Sequence, residues 1–370
     1  MRTLKLGMVG GGEGAFIGAV HRIAARLDGC WQLDAGCLSS TPDKAKRSAD
    51  ALGLARSYKS YEDMAAQESV LEGGIDAVSI VTPNHMHLPV ARAFLKAGIH
   101  VICDKPLTTD LAQAEDFANE CADYDAQFFL THNYSASPLI RQAKSMVADG
   151  TLGDLRLVHA EYLQDWLSRA PDADNVQAAW RTDPARTGGA GAIGDIGTHA
   201  YHLATFVAGQ NASHLAADLS SFVDGRQVDD NANILLRFAS GARGSIFASQ
   251  VATGCENGLK LRIHGTKGGL SWAQERPNEM IFTPIGGVEQ RLTRAGAGAT
   301  DAANGVSRIP AGHPEGYLEA FGTLYREIAL HLLGVEVAHD VPTLKDGVAG
   351  MRFIDACQRS SRDNAEWCAL

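Results

Sequence analysis

Leu4-Lys5-Leu6-Gly7-Met8-Val9-Gly10 is a short, mostly apolar run, and Gly11-Gly12-Glu13-Gly14-Ala15-Phe16-Ile17-Gly18 follows it without a break. The first part reads as a buried strand, and the amphipathic stretch Ala19 to Leu27 beyond the glycines reads as a helix. Glycines between a strand and a helix have a specific physical use. Backbone N–H groups can approach an anion closely only where no Cβ intervenes, and a helix N-terminus favours negative charge. In that setting the glycine string marks a loop that cradles the pyrophosphate of a dinucleotide, with Gly10 and Gly12 at the closest approach. Gly18 looks like the third glycine of such a loop, three residues later than the compact spacing. The loop is therefore long, and Phe16 or Ile17 is expected to lie over the ligand.

Working outward, the first third of the chain repeats this alternation. Gln32 to Leu38, Ala77 to Val81, Val101-Ile102-Cys103 and Phe128-Phe129-Leu130 read as strands. Helical patterns at Lys44 to Leu52, Tyr61 to Glu68, Val90 to Ala97 and Leu111 to Tyr124 fill the gaps. Repeated βα units mean a doubly wound parallel sheet of Rossmann type, expected over residues 1–130. From about residue 131, runs at Asp154 to Tyr162, Ala216 to Phe222, Ala232 to Phe238, Gly244 to Gln250 and Lys260 to His264 are joined by short turns. Strands connected that closely read as antiparallel, so residues 131–370 are expected to form an α+β domain on a large, open, mostly antiparallel sheet. The helical tail, Pro342 to Ser360, is a candidate to pack back on the first domain. The class is α/β overall.

Composition narrows the partners. With 45% hydrophobic and 21% charged residues over 370, disorder and collagen-like repetition are excluded. A net charge of -10 and no long Lys/Arg run argue against nucleic acid. No apolar stretch approaches the roughly 20 residues a bilayer span needs, and the start carries no charged-then-apolar leader. Seven scattered cysteines without a C-x-x-C pair read as reduced thiols. A cytoplasmic protein without a metal site, acting on a small molecule, is the expectation. Ile234-Leu235-Leu236 and Ile246-Phe247-Ala248 need cover on both faces, which predicts a homo-oligomer, a tetramer or a dimer.

An acid that grips the ribose hydroxyls of NAD should close the second strand. The sequence there is Cys37-Leu38-Ser39-Ser40-Thr41-Pro42. Ser39 and Ser40 are expected to flank the ribose, with Lys44 a turn into the next helix. Neither acid nor arginine stands at the strand end itself, so NAD is the expected cofactor and NADP stays open.

Two further strands close on motifs, Val81-Thr82-Pro83-Asn84-His85-Met86-His87 and Cys103-Asp104-Lys105-Pro106-Leu107. With the glycine loop and Gly194-Asp195-Ile196-Gly197-Thr198-His199, they resemble the glucose–fructose oxidoreductase / inositol dehydrogenase / rhizopine-catabolism (Gfo/Idh/MocA) family over essentially the whole chain. Asp104-Lys105-Pro106-Leu107-Thr108, Thr131-His132-Asn133-Tyr134 and Gly312-His313-Pro314-Glu315-Gly316 resemble the branch that contains inositol and unusual-hexose dehydrogenases. The resemblance implies an NAD(P)-dependent dehydrogenase acting on a CH–OH group of a sugar or cyclic polyol. It places Thr82, Pro83, Asn84, His87, Asp104, Lys105 and Asn133 on the cofactor side, and the tetramer habit points the same way.

The chemistry of the residues agrees. Hydride can leave an alcohol carbon only as the hydroxyl proton is removed. Lys105, at a strand's carboxyl end, puts a cation where an alkoxide develops. Asp195 and His199 are spaced i, i+4 and share a helix face. In the family's pattern the histidine accepts the proton and the aspartate holds the substrate hydroxyl and the histidine's charge. Gly188-Gly189-Ala190-Gly191 reads as a flexible approach to them. Because Lys105 belongs to the first domain and the other two to the second, the cleft between them is the expected active site. Asn133, Gln164, Asp165, Trp166, Arg181 and His313 are candidates to recognise the polyol, alongside Lys105, Asp195 and His199. An NADPH-dependent sugar reductase, a family glycosidase using NAD transiently and a non-catalytic sensor are the alternatives.

Overall fold

A computed structural model of the chain describes residues 2–170, 175–335 and 340–370. Strands β1 (Leu4–Gly10), β2 (Trp31–Cys37), β3 (Arg56–Ser57), β4 (Ala77–Val81), β5 (His100–Cys103) and β6 (Phe128–Leu130) form one sheet in the order β3-β2-β1-β4-β5-β6. All neighbouring pairs are parallel. Strand order reverses between β1 and β4, and a crevice at such a switch point is where doubly wound sheets bind ligands. Ala77-Val78-Ser79-Ile80-Val81 is buried at every position, as a parallel strand covered on both faces must be. Helix α1 spans Phe16–Leu27, starting three residues before the apolar periodicity suggests.

The chain divides into two compact units, Met1–Asn133 with Tyr317–Val348, and Tyr134–Gly316 with Ala349–Leu370. The first sequence boundary, at 130, lies close to this division, but the return of Tyr317–Val348 to the first unit departs from a second domain running unbroken from 131 to 370. Its helix, Tyr317–Leu332, has a physical reason to be there. Phe321, Tyr325, Ile328 and Ala329 recur on one helical face and are buried with Leu4, Val20, Ala24 and Trp31. The Trp31 indole N–H donates to the Tyr325 carbonyl at 2.7 Å. Of the tail, Leu130 N–H donates to Pro342 O at 2.9 Å within the first unit, whereas Ala349 onward belongs to the second.

The second unit carries β7 (Leu155–Leu163), β8 (Ala212–Ser220), β9 (Asn231–Phe238), β10 (Arg243–Ser249), β11 (Gly258–Gly265), β12 (Gly268–Ala273), β13 (Glu279–Pro284), β14 (Gln290–Thr293) and β15 (Cys368–Ala369). They form one sheet, β14-β13-β12-β11-β7-β10-β9-β8-β15, antiparallel except where β10 meets β7. Burial alternates along β9, with Ala232, Ile234, Leu236 and Phe238 inside and Asn233, Leu235 and Arg237 outside. Helix Thr198–Ala208 packs on β7, β10 and β11. One sheet face is thus covered by the unit itself, while Leu157, Leu235 and Phe247 stay exposed at 42%, 55% and 37%. Among the described residues no helix is long and apolar enough to cross a membrane.

Candidate active site

The first unit gathers its motifs at neighbouring strand ends: Gly10 closes β1, Thr82 follows β4, Asp104 and Lys105 follow β5, and Thr131 to Asn133 follow β6. Gly10, Gly11 and Gly14 have φ of +83°, +70° and +79°, a region most side chains avoid. Gly12 N–H donates to Leu38 O at 3.1 Å, and a Cβ there would stand 2.5 Å from that oxygen. A Cβ on Gly18 would lie 2.4 Å from Gly11 Cα, so the late third glycine is where α1 meets the loop. Ala15 is the N-cap of α1; among the described residues no side chain closes the first turn, and no acid sits in it. Those N–H groups are left for an anion, which is what a pyrophosphate supplies.

The neighbouring loops fit the rest of a nucleotide. Thr82 Oγ1 and Asn133 Nδ2 are buried without a hydrogen-bond partner among the described residues, and Asn133 is 1% exposed. Buried polar atoms in that state call for a partner from outside the chain. Phe16 is exposed beside the loop, and the half-buried Ile17 packs against the apolar cores. Ser39 Oγ accepts from Thr41 N–H at 3.1 Å, Ser40 is exposed and Lys44 half-buried. Pro83 leads into the short turn Asn84–Met86, where Asn84 is buried. Asp104 Oδ1 accepts from Lys105 N–H at 2.9 Å and from Thr131 Oγ1 at 3.0 Å, bracing the half-buried Lys105.

His87, expected among the cofactor contacts, is buried between two loops. Its Nδ1 lies 2.7 Å from Pro106 O and its Nε2 3.0 Å from Thr82 O, and the neutral ring donates its one N–H to one of these carbonyls. The ring clamps the loop after β4 to the loop after β5. Burial pushes its pKa down, against the pull of Asp104.

In the second unit Asp195 and His199 stand on one helical ribbon. Ile193–Gly197 is a π-helical turn that runs directly into helix Thr198–Ala208, a device often found at functional sites. The Asp229 carboxylate accepts the N–H groups of Gly191 and Ile193, each at 2.7 Å. Burial nonetheless raises its pKa to about 6. A Cβ on Gly191 would lie 1.9 Å from Asp229 O. The end of the glycine run is therefore a close-packed joint rather than a flexible approach, because only glycine lets the two backbones come so near.

Asp195 Oδ2 accepts from Gln250 Nε2 at 2.8 Å and lies 3.3 Å from Arg181 Nε. The Arg181 guanidinium sits 4.2 Å from the Trp180 ring and 5.8 Å from the Trp166 ring. Trp166 Nε1 donates to Gln164 Oε1 at 2.9 Å, and Gln164 Nε2 donates to Asn257 Oδ1 at 2.9 Å. Tyr162 donates its hydroxyl proton to the same oxygen at 2.7 Å, and its oxygen lies 2.7 Å from that of Tyr134. Both tyrosine rings border His199, with centroids 5.0 Å away for Tyr134 and 6.2 Å for Tyr162. Five sequence candidates, Gln164, Trp166, Arg181, Asp195 and His199, thus belong to one connected set.

Two candidates of the second unit lie off this chain of contacts. The Asp165 carboxylate closes a turn by accepting Gly254 N–H at 2.9 Å. His313 is exposed, and its loop is pinned by Arg294, which donates to the carbonyls of Ile309, Pro310 and His313 and pairs with Glu315. Sequence reasoning missed Gln250, Asn257, Tyr134 and Tyr162 as members of this connected set. Tyr134 closes the Thr131–Tyr134 stretch already singled out; the other three carry no local motif.

The uncapped helix, the glycine loop and the acid–imidazole ribbon define an NAD-dependent oxidoreductase. Residues 4–132 match the oxidoreductase family with an NAD-binding Rossmann fold, and residues 140–271 match the GFO/IDH/MocA C-terminal domain. The chain belongs to the GFO/IDH/MocA family. The oxidoreductase YfiI of Bacillus subtilis is 31% identical over 99% of this chain and 96% of its own. An oxidoreductase structure from Sinorhizobium meliloti is 51% identical, covers 100% of both chains and superposes with a TM-score of 0.91. An inositol dehydrogenase homologue from Azotobacter vinelandii, solved with NADH and myo-inositol, is 33% identical over 100% of this chain and 98% of its own, with a TM-score of 0.92.

Proposed function

We propose that this oxidoreductase removes hydride from a secondary hydroxyl of a cyclic polyol or sugar, an inositol such as scyllo- or myo-inositol or a hexose, giving the ketone or lactone. When bound, NAD supplies the acceptor for the hydride. His199 takes the hydroxyl proton as charge grows on the oxygen, and Lys105 offers a cation to the developing alkoxide. Asp195 is fixed by Gln250 and Arg181, which leaves the imidazole as the proton acceptor and the carboxylate as the group that orients hydroxyl and imidazolium. Gln164, Trp166 and Arg181 provide amide, indole and guanidinium groups for a polyhydroxylated ring.

The observation that carries this reading is the connected set from His199 through Gln164 and Trp166 to Asp195: proton acceptor and polar recognition groups share one frame. The myo-inositol bound by the Azotobacter vinelandii relative supports the substrate class. The test is a panel of inositols, common hexoses and rare L-sugars, with NAD and NADP in parallel, followed by NADH formation. NADH from at least one cyclic polyol is expected. A panel that yields none would overturn the reading, and glycoside cleavage without net NADH would replace it with transient-oxidation chemistry.

The exposed Leu157, Leu235 and Phe247 on the uncovered sheet face support a homo-oligomer, a tetramer or a dimer. Sedimentation at micromolar concentration should show an assembly that Leu235→Glu with Phe247→Glu reduces to monomers. A monomeric parent protein would end this proposal.

A further inference from the structure

Asn257 belongs to no motif, yet its side chain is the node of the second unit's polar network. Its Oδ1 accepts from Tyr162 at 2.7 Å and from Gln164 Nε2 at 2.9 Å, which uses both lone pairs of an amide oxygen. Its Nδ2 donates to Gln274 Oε1 at 3.2 Å and its backbone N–H to Glu275 Oε1 at 3.3 Å, so the node is itself anchored. The direction of two neighbouring bonds follows. Tyr162 spends its proton on Asn257, so it accepts from Tyr134 across their 2.7 Å contact. Gln164 spends its amide nitrogen on Asn257, so its Oε1 is the atom turned to Trp166 Nε1. One oxygen thus orients two branches: the tyrosine pair that borders His199, and the amide–indole pair at the half-exposed Trp166.

We propose that Asn257 is a positioning residue for the reaction, setting the seat of His199 through Tyr162 and Tyr134, and the polyol-recognition groups through Gln164 and Trp166. This rests on the reading of His199 as the proton acceptor. The contacts of Asn257 run to Tyr162, Gln164, Gln274 and Glu275. It acts by holding the acceptor that both branches require, and a buried donor deprived of its acceptor turns elsewhere.

The test uses the full-length enzyme with NAD and the panel polyol of highest kcat/KM. Asn257→Leu should lower kcat and raise the polyol KM, each by about tenfold, with the NAD Kd unchanged. Asn257→Asp keeps the Oδ1 acceptor and should return both parameters to within about threefold of the parent. The branches should separate: Tyr162→Phe lowers kcat and spares KM, whereas Gln164→Leu raises KM and spares kcat. These two variants carry the test alone where Asn257→Leu does not fold. Parent-like kcat and KM in Asn257→Leu would overturn the proposal. So would Asn257→Asp as impaired as the leucine variant, or Tyr162→Phe and Gln164→Leu changing the same parameter. A His199→Ala control keeps the two readings apart. If it retains activity, the underlying assignment has failed; if it is inactive while Asn257→Leu matches the parent, only the role of Asn257 has.

Discussion

The two units build their functional surfaces from different materials. The first uses backbone: an uncapped helix end, three glycines at positive φ, and loops pinned by Asp104 and His87. Its contacts are local to strand ends, and each is announced by a short motif. The second uses side chains that meet across long stretches of chain. Asp195 and Gln250 are 55 residues apart, Gln164 and Asn257 93, and Tyr162 and Asn257 95. Backbone sites tolerate little besides glycine at their closest points, while side-chain networks depend on partners that no single segment reveals. Damage to the first should therefore appear in nucleotide binding, and damage to the second in turnover and polyol recognition.

The largest effect should come from the proposed catalytic groups. His199→Ala and Lys105→Ala should each lower kcat by about two to four orders of magnitude, the usual span of general acid–base contributions. NAD affinity should be unchanged in His199→Ala, and the pH limb imposed by an imidazole base should vanish. Wild-type turnover in that variant would break the comparison at its centre, with Lys105 the next candidate for the base.

Next in size is the phosphate loop. A Cβ at Gly12 would press on Leu38 O at 2.5 Å and on Ser48 Oγ at 2.9 Å, and valine adds two more carbons. Gly12→Val should lose NAD binding by titration calorimetry while its circular dichroism stays native. Unchanged affinity in a folded variant would remove the loop from the site. A smaller effect is expected at Ser39, whose side chain caps the turn to Thr41 at 3.1 Å where no acid stands. Ser39→Asp should favour NAD over NADP further by repelling a 2′-phosphate, by about 1–3 kcal/mol in kcat/KM. An unaltered coenzyme ratio would put the ribose elsewhere.

Legibility in the sequence follows the same division. β1, β4 and β6 and the helix Tyr61–Glu68 lie where periodicity and flanking turns put them, because parallel strands buried on both faces leave unbroken apolar runs. The glycine loop and the Thr82 and Lys105 motifs were readable for the reason just given. Strands β12 to β14 and the helix Tyr317–Leu332 were not. The helix's apolar face makes sense only against α1 and Trp31, nearly 300 residues earlier by the Trp31–Tyr325 contact, which spans 294. The motif containing His87 points to the cofactor, whereas its nearness to Pro106 O and Thr82 O is visible only in the fold. Gln250 and Asn257 are polar residues beside strands, indistinguishable in sequence from solvated ones.

An effect of another kind, on stability against pH rather than on activity, has opposite signs in the two units. In the first, His21 is fully buried against Tyr325 Oη at 2.9 Å, and burial lowers its pKa to about 4, with Asp104 pulling the other way. An unfolded histidine binds its proton near pH 6.5. Stability from a neutral His21 is complete above that value and is lost as pH falls toward 4, since the unfolded chain then holds the extra proton. In the second unit, burial raises the Asp229 pKa to about 6, although the Gly191 and Ile193 N–H groups favour the charged form. An unfolded aspartate gives up its proton near pH 3.9. Its contribution is complete below that value and is lost as pH rises through 6, because the folded chain holds the extra proton. Each tenfold change in proton affinity is worth about 1.4 kcal/mol. Other carboxylates destabilise the whole molecule in acid, so the comparison is variant against parent. His21→Asn should gain on the parent as pH falls from roughly 7 to 4.5, measured by the urea midpoint. Asp229→Asn should lose ground over the same interval, having shed a group that stabilises the fold only when protonated. Two variants that shift in the same direction would show that burial does not set opposite proton balances in the two units.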